Sequence, residues 1–158
     1  MADIDGPCYV RLGRGAVEDV YDENYKFEWG KGRVLKEGKK VALVATGMMV
    51  QEALKAADIL SKEGILVTVV DMPCIKPIDE ELIEEIAKSH EIIITCEEHN
   101  VYGGLGSAVS EVASKKSPVR MEMIGMQDTF GESGTPNELL AKYGLNADHI
   151  VEKVKECL

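Results

Sequence analysis

The chain has 158 residues, of which 45% are hydrophobic, 29% are charged and only 5% are aromatic. This length and composition predict one compact domain with an aliphatic core, and they exclude an extensively disordered chain. The formal net charge of -10, with no stripe of lysines and arginines to offset it, argues against nucleic-acid and anionic-membrane partners, so any anionic ligand is expected to be small.

The cysteines and the apolar runs indicate the cellular compartment. Cys8, Cys74, Cys96 and Cys157 form no C-x-x-C pair, which predicts reduced and mostly buried thiols in place of a zinc site or a disulfide framework. No apolar run approaches the roughly 18 residues of a membrane span, and the N-terminus does not resemble a signal peptide. We therefore expect a cytoplasmic protein.

The first element in chain order is the segment GPCYVRLGRG, residues 6–15. It is a β-rich run that ends in a glycine-flanked turn, and such a strand needs sheet neighbours. Because so little sequence precedes it, we expect the chain to be a piece of a larger protein. The Arg14 guanidinium, beside Gly15, suits recognition of a phosphate or carboxylate, and the alternative is a surface arginine at a strand end.

From Glu18 to Lys40 the sequence is polar and rich in turn residues, which predicts a linker, a domain boundary and a short strand near Arg33 to Lys36. Beyond it, predicted strands at 41–45, 66–71, 92–96 and 119–124 alternate with predicted helices at 50–63, 80–89 and 105–115. This alternation predicts a parallel sheet with helices on both faces, and the unbroken apolar runs are typical of strands buried on both sides.

Several helix ends carry their own signals. Gly64 is placed as a left-handed residue after the first helix, and Asp79 as the N-cap of the second. After a loop that contains Phe130, the run Thr135-Pro136-Asn137-Glu138 predicts a capping box and a short helix, and Asn146 is expected to cap a final amphipathic helix.

A second group of candidate site residues follows the strand at 92–96. Glu97, Glu98 and His99 lie at its carboxyl end, and Gly103, Gly104 and Gly106 open the next helix. Ligands bind at the carboxyl ends of strands in open α/β sheets, and glycines let backbone amides approach an anion. However, the spacing is not the G-x-G-x-x-G of a dinucleotide site, the carboxylates oppose a phosphate, and a tight turn uses glycine for packing alone.

The histidines have two possible roles. His99 is a candidate general acid or base, because neighbouring carboxylates raise the pKa of an imidazole, and the alternative is a hydrogen-bonding histidine at the surface or in an interface. His90 and His149 lie at helix ends, where we expect structural roles.

Five segments in order, at residues 6–14, 44–50, 69–79, 97–109 and 130–134, together resemble the C-terminal domain of transketolase, most closely the C-terminal section of the split, two-subunit enzymes. The resemblance covers almost the whole chain. It implies a three-layer α/β/α fold with a mixed, mostly parallel five-stranded sheet. It also implies that residues 1–30 are the end of a pyrimidine-binding domain plus a linker, and that residues 31–158 form the C-terminal domain.

The resemblance further implies a thiamine-diphosphate enzyme that moves a two-carbon ketol unit between sugar phosphates, with Mg²⁺ holding the diphosphate. In this family the cofactor lies between two other domains, and this sequence has no G-D-G segment. We therefore expect the chain to bind neither thiamine diphosphate nor Mg²⁺ itself and to be inactive alone. Its expected partners are the N-terminal section, the missing pyrimidine-binding domain, sugar-phosphate substrates and further copies of itself in a homo-oligomer.

One residue role follows from the resemblance. Arg14 matches the arginine that contacts the phosphate group of the sugar substrate, whereas Arg11 aligns with a position that is apolar in many full-length transketolases. Gly15 departs from the glutamine often found in one-chain transketolases, which favours the split form or the deoxyxylulose-phosphate synthases. The segment from Glu97 to Gly106 carries no implied catalytic role, and we expect it near subunit contacts.

Three functions remain open on the sequence alone. The first is a transketolase section that needs its partners for turnover. The second is the corresponding domain of 1-deoxyxylulose-5-phosphate synthase or of a 2-oxoacid dehydrogenase or oxidoreductase. The third is a non-catalytic module for assembly or for binding a regulatory anion at the glycine turn.

Overall fold

A computed structural model describes residues 4–13 and 15–158 of the chain. Its strands are β1 (Arg33–Lys36), β2 (Val41–Ala45), β3 (Thr68–Asp71), β4 (Ile92–Asn100) and β5 (Arg120–Met126). Its helices are α1 (Met49–Lys62), α2 (Glu80–Ser89), α3 (Leu105–Lys116), α4 (Pro136–Lys142) and α5 (Ala147–Cys157).

The five strands form one mixed sheet in the order β1-β3-β2-β4-β5. The four strands β3, β2, β4 and β5 are parallel, and β1 pairs with β3 in the antiparallel direction at one edge. The carboxyl ends of the four parallel strands therefore meet along one edge of the sheet, which we call the carboxyl edge.

The sheet is covered on both faces, as predicted. Side chains alternate along the central strand β2, so that Val41, Leu43 and Ala45 pack in the core shared with α1 and α5. Ala42 and Val44 pack on the opposite face, in the core shared with α2 and α3. The fold is thus the expected three-layer α/β/α arrangement of a mostly parallel sheet.

The predicted helix ends are confirmed by hydrogen bonds. Gly64 has a φ of 81° and follows α1, and the N–H of Ile65 donates to the carbonyl of Leu60 at 3.0 Å, as in a Schellman motif. The Asp79 carboxylate accepts the N–H of Leu82 at 3.2 Å. The Glu138 carboxylate accepts the N–H of Thr135 at 3.1 Å, and the Thr135 side chain faces the Glu138 backbone N–H in return, as in a capping box before α4.

Several strand predictions differ from the structure. β3 begins at Thr68 and not at residue 66, and β5 spans Arg120–Met126 in place of residues 119–124. The run from Cys8 to Leu12 forms no strand within the described residues. The predicted end of β4 at Cys96 is wrong, since the strand continues to Asn100. The extension is possible because the charged residues after Cys96 find partners of their own, as described below.

The four cysteines are free thiols in the structure. Cys74 and Cys96 are buried, whereas Cys8 and Cys157 are only partly covered. Burial and the adjacent Glu97 raise the pKa of the Cys96 thiol to about 12, so this cysteine is protonated and unreactive at neutral pH.

Residues 15–32, which we call the strap, lie against the carboxyl edge. The Tyr21 hydroxyl donates to Oδ2 of Asp71, at the end of β3, over 2.7 Å. The Tyr21 ring stacks on Tyr25 at a centroid distance of 3.8 Å, and the Arg33 guanidinium lies 4.9 Å from the Tyr25 ring centroid. Burial and the hydrogen bond to Asp71 raise the pKa of Tyr21, so the phenol remains a donor throughout the physiological range.

Replacing Tyr21 with phenylalanine tests whether the strap is bonded to the sheet. The change removes the donor to a carboxylate that is 8% exposed, so we expect the free energy of unfolding to fall by about 1.5 to 3 kcal/mol in urea denaturation. Tyr9→Phe is the matched control, because the Tyr9 side chain is 85% exposed. Equal stability of the two variants would mean that the bond to Asp71 contributes nothing.

Candidate functional site

The candidate site is the turn between β4 and α3. The extension of β4 carries Glu97, Glu98 and His99 into the carboxyl edge, and Gly103, Gly104 and Gly106 lie at the start of α3. The structure therefore brings together the six residues of this second predicted group.

Glu97 is the central residue of this turn. Its side chain is 1% exposed, and its carboxylate accepts the N–H of Leu105 at 2.9 Å and the N–H of Gly106 at 2.8 Å. Both amides belong to the first turn of α3, where the helix dipole also favours a negative charge. A buried carboxylate is thereby paired with two donors that would otherwise lack a partner.

The glycines of the turn make room for this carboxylate. A side chain at Gly104 would overlap the Glu97 carboxylate, and one at Gly106 would contact Met123 and Thr95 on neighbouring strands. Gly103 has a φ of 79°, in the left-handed region that favours glycine. The glycines at 104 and 106 therefore serve close packing of α3 on the sheet.

The Glu97 carboxylate argues against an anion-binding site at this turn. The two amides that an external phosphate would use are already bonded to Glu97, and a phosphate placed there would face a buried negative charge. The structure thus opposes both the anion nest and the dinucleotide alternative, and it favours the packing role for the glycines. The interface role of the segment remains a prediction.

Glu98 and His99 contact the N-terminal segment. Arg11 donates from its guanidinium to Oε1 of Glu98 over 2.8 Å, and the same nitrogen lies 3.5 Å from Nδ1 of His99. The pKa of His99 is lowered, chiefly by burial and then by the Arg11 charge, and these effects outweigh the two glutamates. The carboxylates raise this pKa as expected, but burial and Arg11 lower it by more, so the net shift favours the neutral imidazole.

The end of β4 is fixed to the loop after β5. The side-chain amide of Asn100 donates to Asp128 over 2.8 Å, and its carbonyl oxygen accepts the N–H of Tyr102 at 2.9 Å. The N–H of Val101 donates to the carbonyl of Met126 at 3.0 Å. Sequence reasoning missed these contacts, because only the extension of β4 brings residue 100 opposite β5.

The predicted phosphate-binding arginine, Arg14, lies outside the described residues. Arg11, to which the family resemblance gives no phosphate-binding role, forms a salt bridge with Glu98. The other two histidines have local roles: the His90 ring lies 2.7 Å from the Thr68 hydroxyl, and His149 donates its backbone N–H to the side chain of Asn146 at 3.0 Å.

A shallow groove of about 540 Å³ lies beside the turn, between the loop around Pro77 and the exposed face of α3. Its basic end includes Lys116, which is paired with Glu80 and Glu84 at 3.1 and 3.6 Å. Within residues 4–13 and 15–158 no group of three or more acidic, histidine or cysteine side chains is arranged to hold a metal ion. Over the same residues no helix is both long enough and apolar enough to cross a membrane.

Glu97→Gln tests the structural role of the buried carboxylate. The amide would keep one acceptor but would direct an NH₂ group at a helix N–H, so we expect a loss of about 2 to 3 kcal/mol in the free energy of unfolding. Amide exchange at Leu105 and Gly106 should accelerate in the same variant. Glu111→Gln, on the exposed face of α3, is the control and should stay within about 0.5 kcal/mol of the original chain. Unchanged exchange at both amides would contradict this role.

Comparison with known proteins places this architecture in a family. Residues 30–150 match the family model of the transketolase C-terminal domain. A split-gene transketolase, solved as an inactive tetramer of β chains, superposes on this chain with a TM-score of 0.94. The two sequences are 51% identical, and the match covers 98% of this chain and 51% of the other. A Methanocaldococcus jannaschii protein described as a transketolase C-terminal section is 43% identical over 99% of this chain and 49% of its own length.

The chain is also similar to one part of a longer enzyme. The 1-deoxy-D-xylulose-5-phosphate synthase of Caldanaerobacter subterraneus is 40% identical over 98% of this chain, but only 26% of that enzyme is covered. The chain spans about half the length of the first curated relatives that it matches. The match over residues 30–150, together with the near-complete superposition on the split-gene enzyme, shows that the chain belongs to the transketolase C-terminal domain family.

Proposed function

We propose that this chain is the C-terminal section of a thiamine-diphosphate-dependent transketolase. The complete enzyme would transfer a two-carbon ketol unit between sugar phosphates. The observation that carries the proposal is the superposition of 98% of the chain on a split-gene transketolase at 51% identity. The chain accounts for half of that protein, so the chemistry is assigned to the assembled enzyme.

The residues of this chain do not fit the cofactor. The sequence has no G-D-G segment for Mg²⁺ and the diphosphate, and the described residues hold no cluster of metal-binding side chains. The buried carboxylate of Glu97 is committed to α3 and is unavailable to activate a coenzyme ring. We therefore place thiamine diphosphate and Mg²⁺ on the partner domains and derive no catalytic step from this chain.

The proposed partners are the transketolase N-terminal section and a pyrimidine-binding domain. The split-gene relative was solved as an inactive tetramer of β chains, which supports an inactive and oligomeric state for this chain without its partners. We keep cytoplasmic location and the absence of nucleic-acid and membrane partners as part of the proposal, in line with the net charge of -10.

The main alternative is the C-terminal section of a 1-deoxyxylulose-5-phosphate synthase. An identity of 40% over 98% of this chain favours keeping it. The transketolase assignment is preferred because this chain covers 47 to 50% of the transketolase relatives, as expected for split subunits, but only 26% of the synthase.

Reconstitution tests the proposed function. The chain is mixed with a split-transketolase N-terminal section and the pyrimidine-binding half of a β chain, and ketol transfer from xylulose 5-phosphate to an aldose phosphate is measured. We expect no turnover by the chain alone and turnover in the complete mixture. A mixture that instead condenses pyruvate with glyceraldehyde 3-phosphate would favour the synthase. Assembly without either activity would favour the non-catalytic module.

Arg14→Ala in the reconstituted enzyme tests the phosphate role that we propose for Arg14. We expect kcat/KM for phosphorylated donors to fall by about ten-fold or more, which corresponds to the loss of a charged hydrogen bond of about 1.5 to 3 kcal/mol. Unphosphorylated donors should be little affected. Arg11→Ala is the control, because Arg11 is paired with Glu98, and it should leave the ratio between the two donor types unchanged. Equal losses for both donor types with Arg14→Ala would reject the phosphate role.

A further inference from the structure

The last strand of the sheet, β5, has one side without a strand partner. Among residues 4–13 and 15–158 it pairs with β4 alone, and we call the side that faces away from β4 the outer edge. A hollow of about 540 Å³ separates residues 122–125 of this strand from the turn between α4 and α5. An open strand edge is a template on which a further strand can add through backbone hydrogen bonds.

Two hydrogen bonds show which backbone groups of β5 point to the outer edge. The carbonyl of Met126 accepts, at 3.0 Å, the backbone N–H of the residue that follows β4. The carbonyl of Gly125 instead accepts the side-chain amide of Gln127 at 3.0 Å. Because the backbone groups of successive residues alternate between the two sides of a strand, those of Met121 and Met123 point outward, as those of Gly125 do.

Arg120 and Glu122 give the outer edge a self-complementary charge pattern. Their side chains lie on the same face of the sheet, and within one chain Arg120 donates to Oε1 of Glu122 over 3.2 Å. If two copies of β5 run antiparallel about a two-fold axis at Met121, each arginine lies directly opposite the glutamate of the other copy. Met121 then lies opposite its own counterpart, and the two residues exchange backbone hydrogen bonds.

Other registers fit these observations less well. An axis at Glu122 places the two glutamates opposite each other, which is destabilising. An axis at Met123 places Met121 opposite Gly125, whose carbonyl already accepts a side-chain amide, and it leaves both charges without a partner in the other copy. The charges and the outward backbone groups together therefore favour the axis at Met121.

We propose that two copies of the chain associate through β5, paired antiparallel so that their two five-stranded sheets become continuous. This step rests on the oligomeric state in the proposed function and supplies its interface. The net charge of -10 on each copy opposes association, so a dimer needs local attraction of the kind that two arginine–glutamate pairs provide. The partly buried Met121, Met123 and Met126 add flexible apolar side chains that can adapt to a partner.

Charge exchange tests the pairing, with self-association measured by sedimentation equilibrium. Arg120→Glu and Glu122→Arg each place like charges across the axis, so each variant alone should associate about ten-fold more weakly than the original chain. An equimolar mixture of the two variants places opposite charges together again and should regain the association. Both variants lose the bond between residues 120 and 122 within one copy, so only contact between copies explains recovery on mixing. Lys115→Glu, on the exposed face of α3, is the control and should not weaken association.

Amide exchange of the original chain locates the interface. Exchange at Met121 and Met123 should slow as the chain concentration rises, while exchange at Glu122, whose N–H points toward β4, should not change. Association that both charge variants retain would overturn the pairing at β5, and so would a chain that does not associate. Slower exchange only after the N-terminal section is added would assign the outer edge to that partner and overturn the proposal.

Ketol transfer in the reconstituted enzyme separates this proposal from the proposed function. Turnover by an enzyme whose chain shows no pairing at β5 would overturn the pairing and leave the function standing. Pairing at β5 with no turnover in the complete mixture would support the interface and count against the function.

Discussion

The bond between the Glu97 carboxylate and the first turn of α3 is the interaction on which the rest of this edge depends. A carboxylate that is 1% exposed must be paired, and the amides of Leu105 and Gly106 provide that pairing only if α3 starts directly beside β4. This requirement excludes a side chain at Gly104. It also fixes the length of the turn, so that Asn100 can bond Asp128 and join the loop after β5 to the same framework.

The same bond shows how a site-like sequence pattern can be satisfied within the chain itself. Acidic residues at the end of a parallel strand, followed by a glycine-rich helix start, resemble an anion-binding or catalytic turn. Here the chain supplies its own anion, and the imidazole of His99 is kept neutral by burial and by Arg11. The polar groups of the turn thus stabilise the junction between β4 and α3.

The sequence predicted most of the fold because its signals are local. Five apolar residues in a row from Val41, the left-handed Gly64, and the caps at Asp79 and Thr135 each require only a few neighbouring residues to be recognised. The role of Glu97 could not be predicted in the same way. Charged residues normally end a buried strand. The sequence pattern does not show that the buried Glu97 carboxylate is hydrogen-bonded by the N–H of Leu105, eight residues later. The hydrogen bond from Tyr21 to Asp71 could not be predicted either, because the two residues lie fifty positions apart in the sequence.

The strap affects how the domain is joined to its neighbour. A polar stretch rich in turn residues predicts a linker, and in the structure this linker is bonded to the sheet: Tyr21 donates to Asp71 at the end of β3 and stacks on Tyr25, with Arg33 of β1 beside that ring. A linker that is bonded to the domain at several points restricts the direction in which the chain leaves it, whereas a free linker limits only the distance between the two parts that it joins. Arg11 is also held at the carboxyl edge, by its bond to Glu98 at the end of β4. Residues 15–32 are thus held on the sheet by their own side chains, so the entropy of fixing this segment is lost when the domain folds and not when a partner binds.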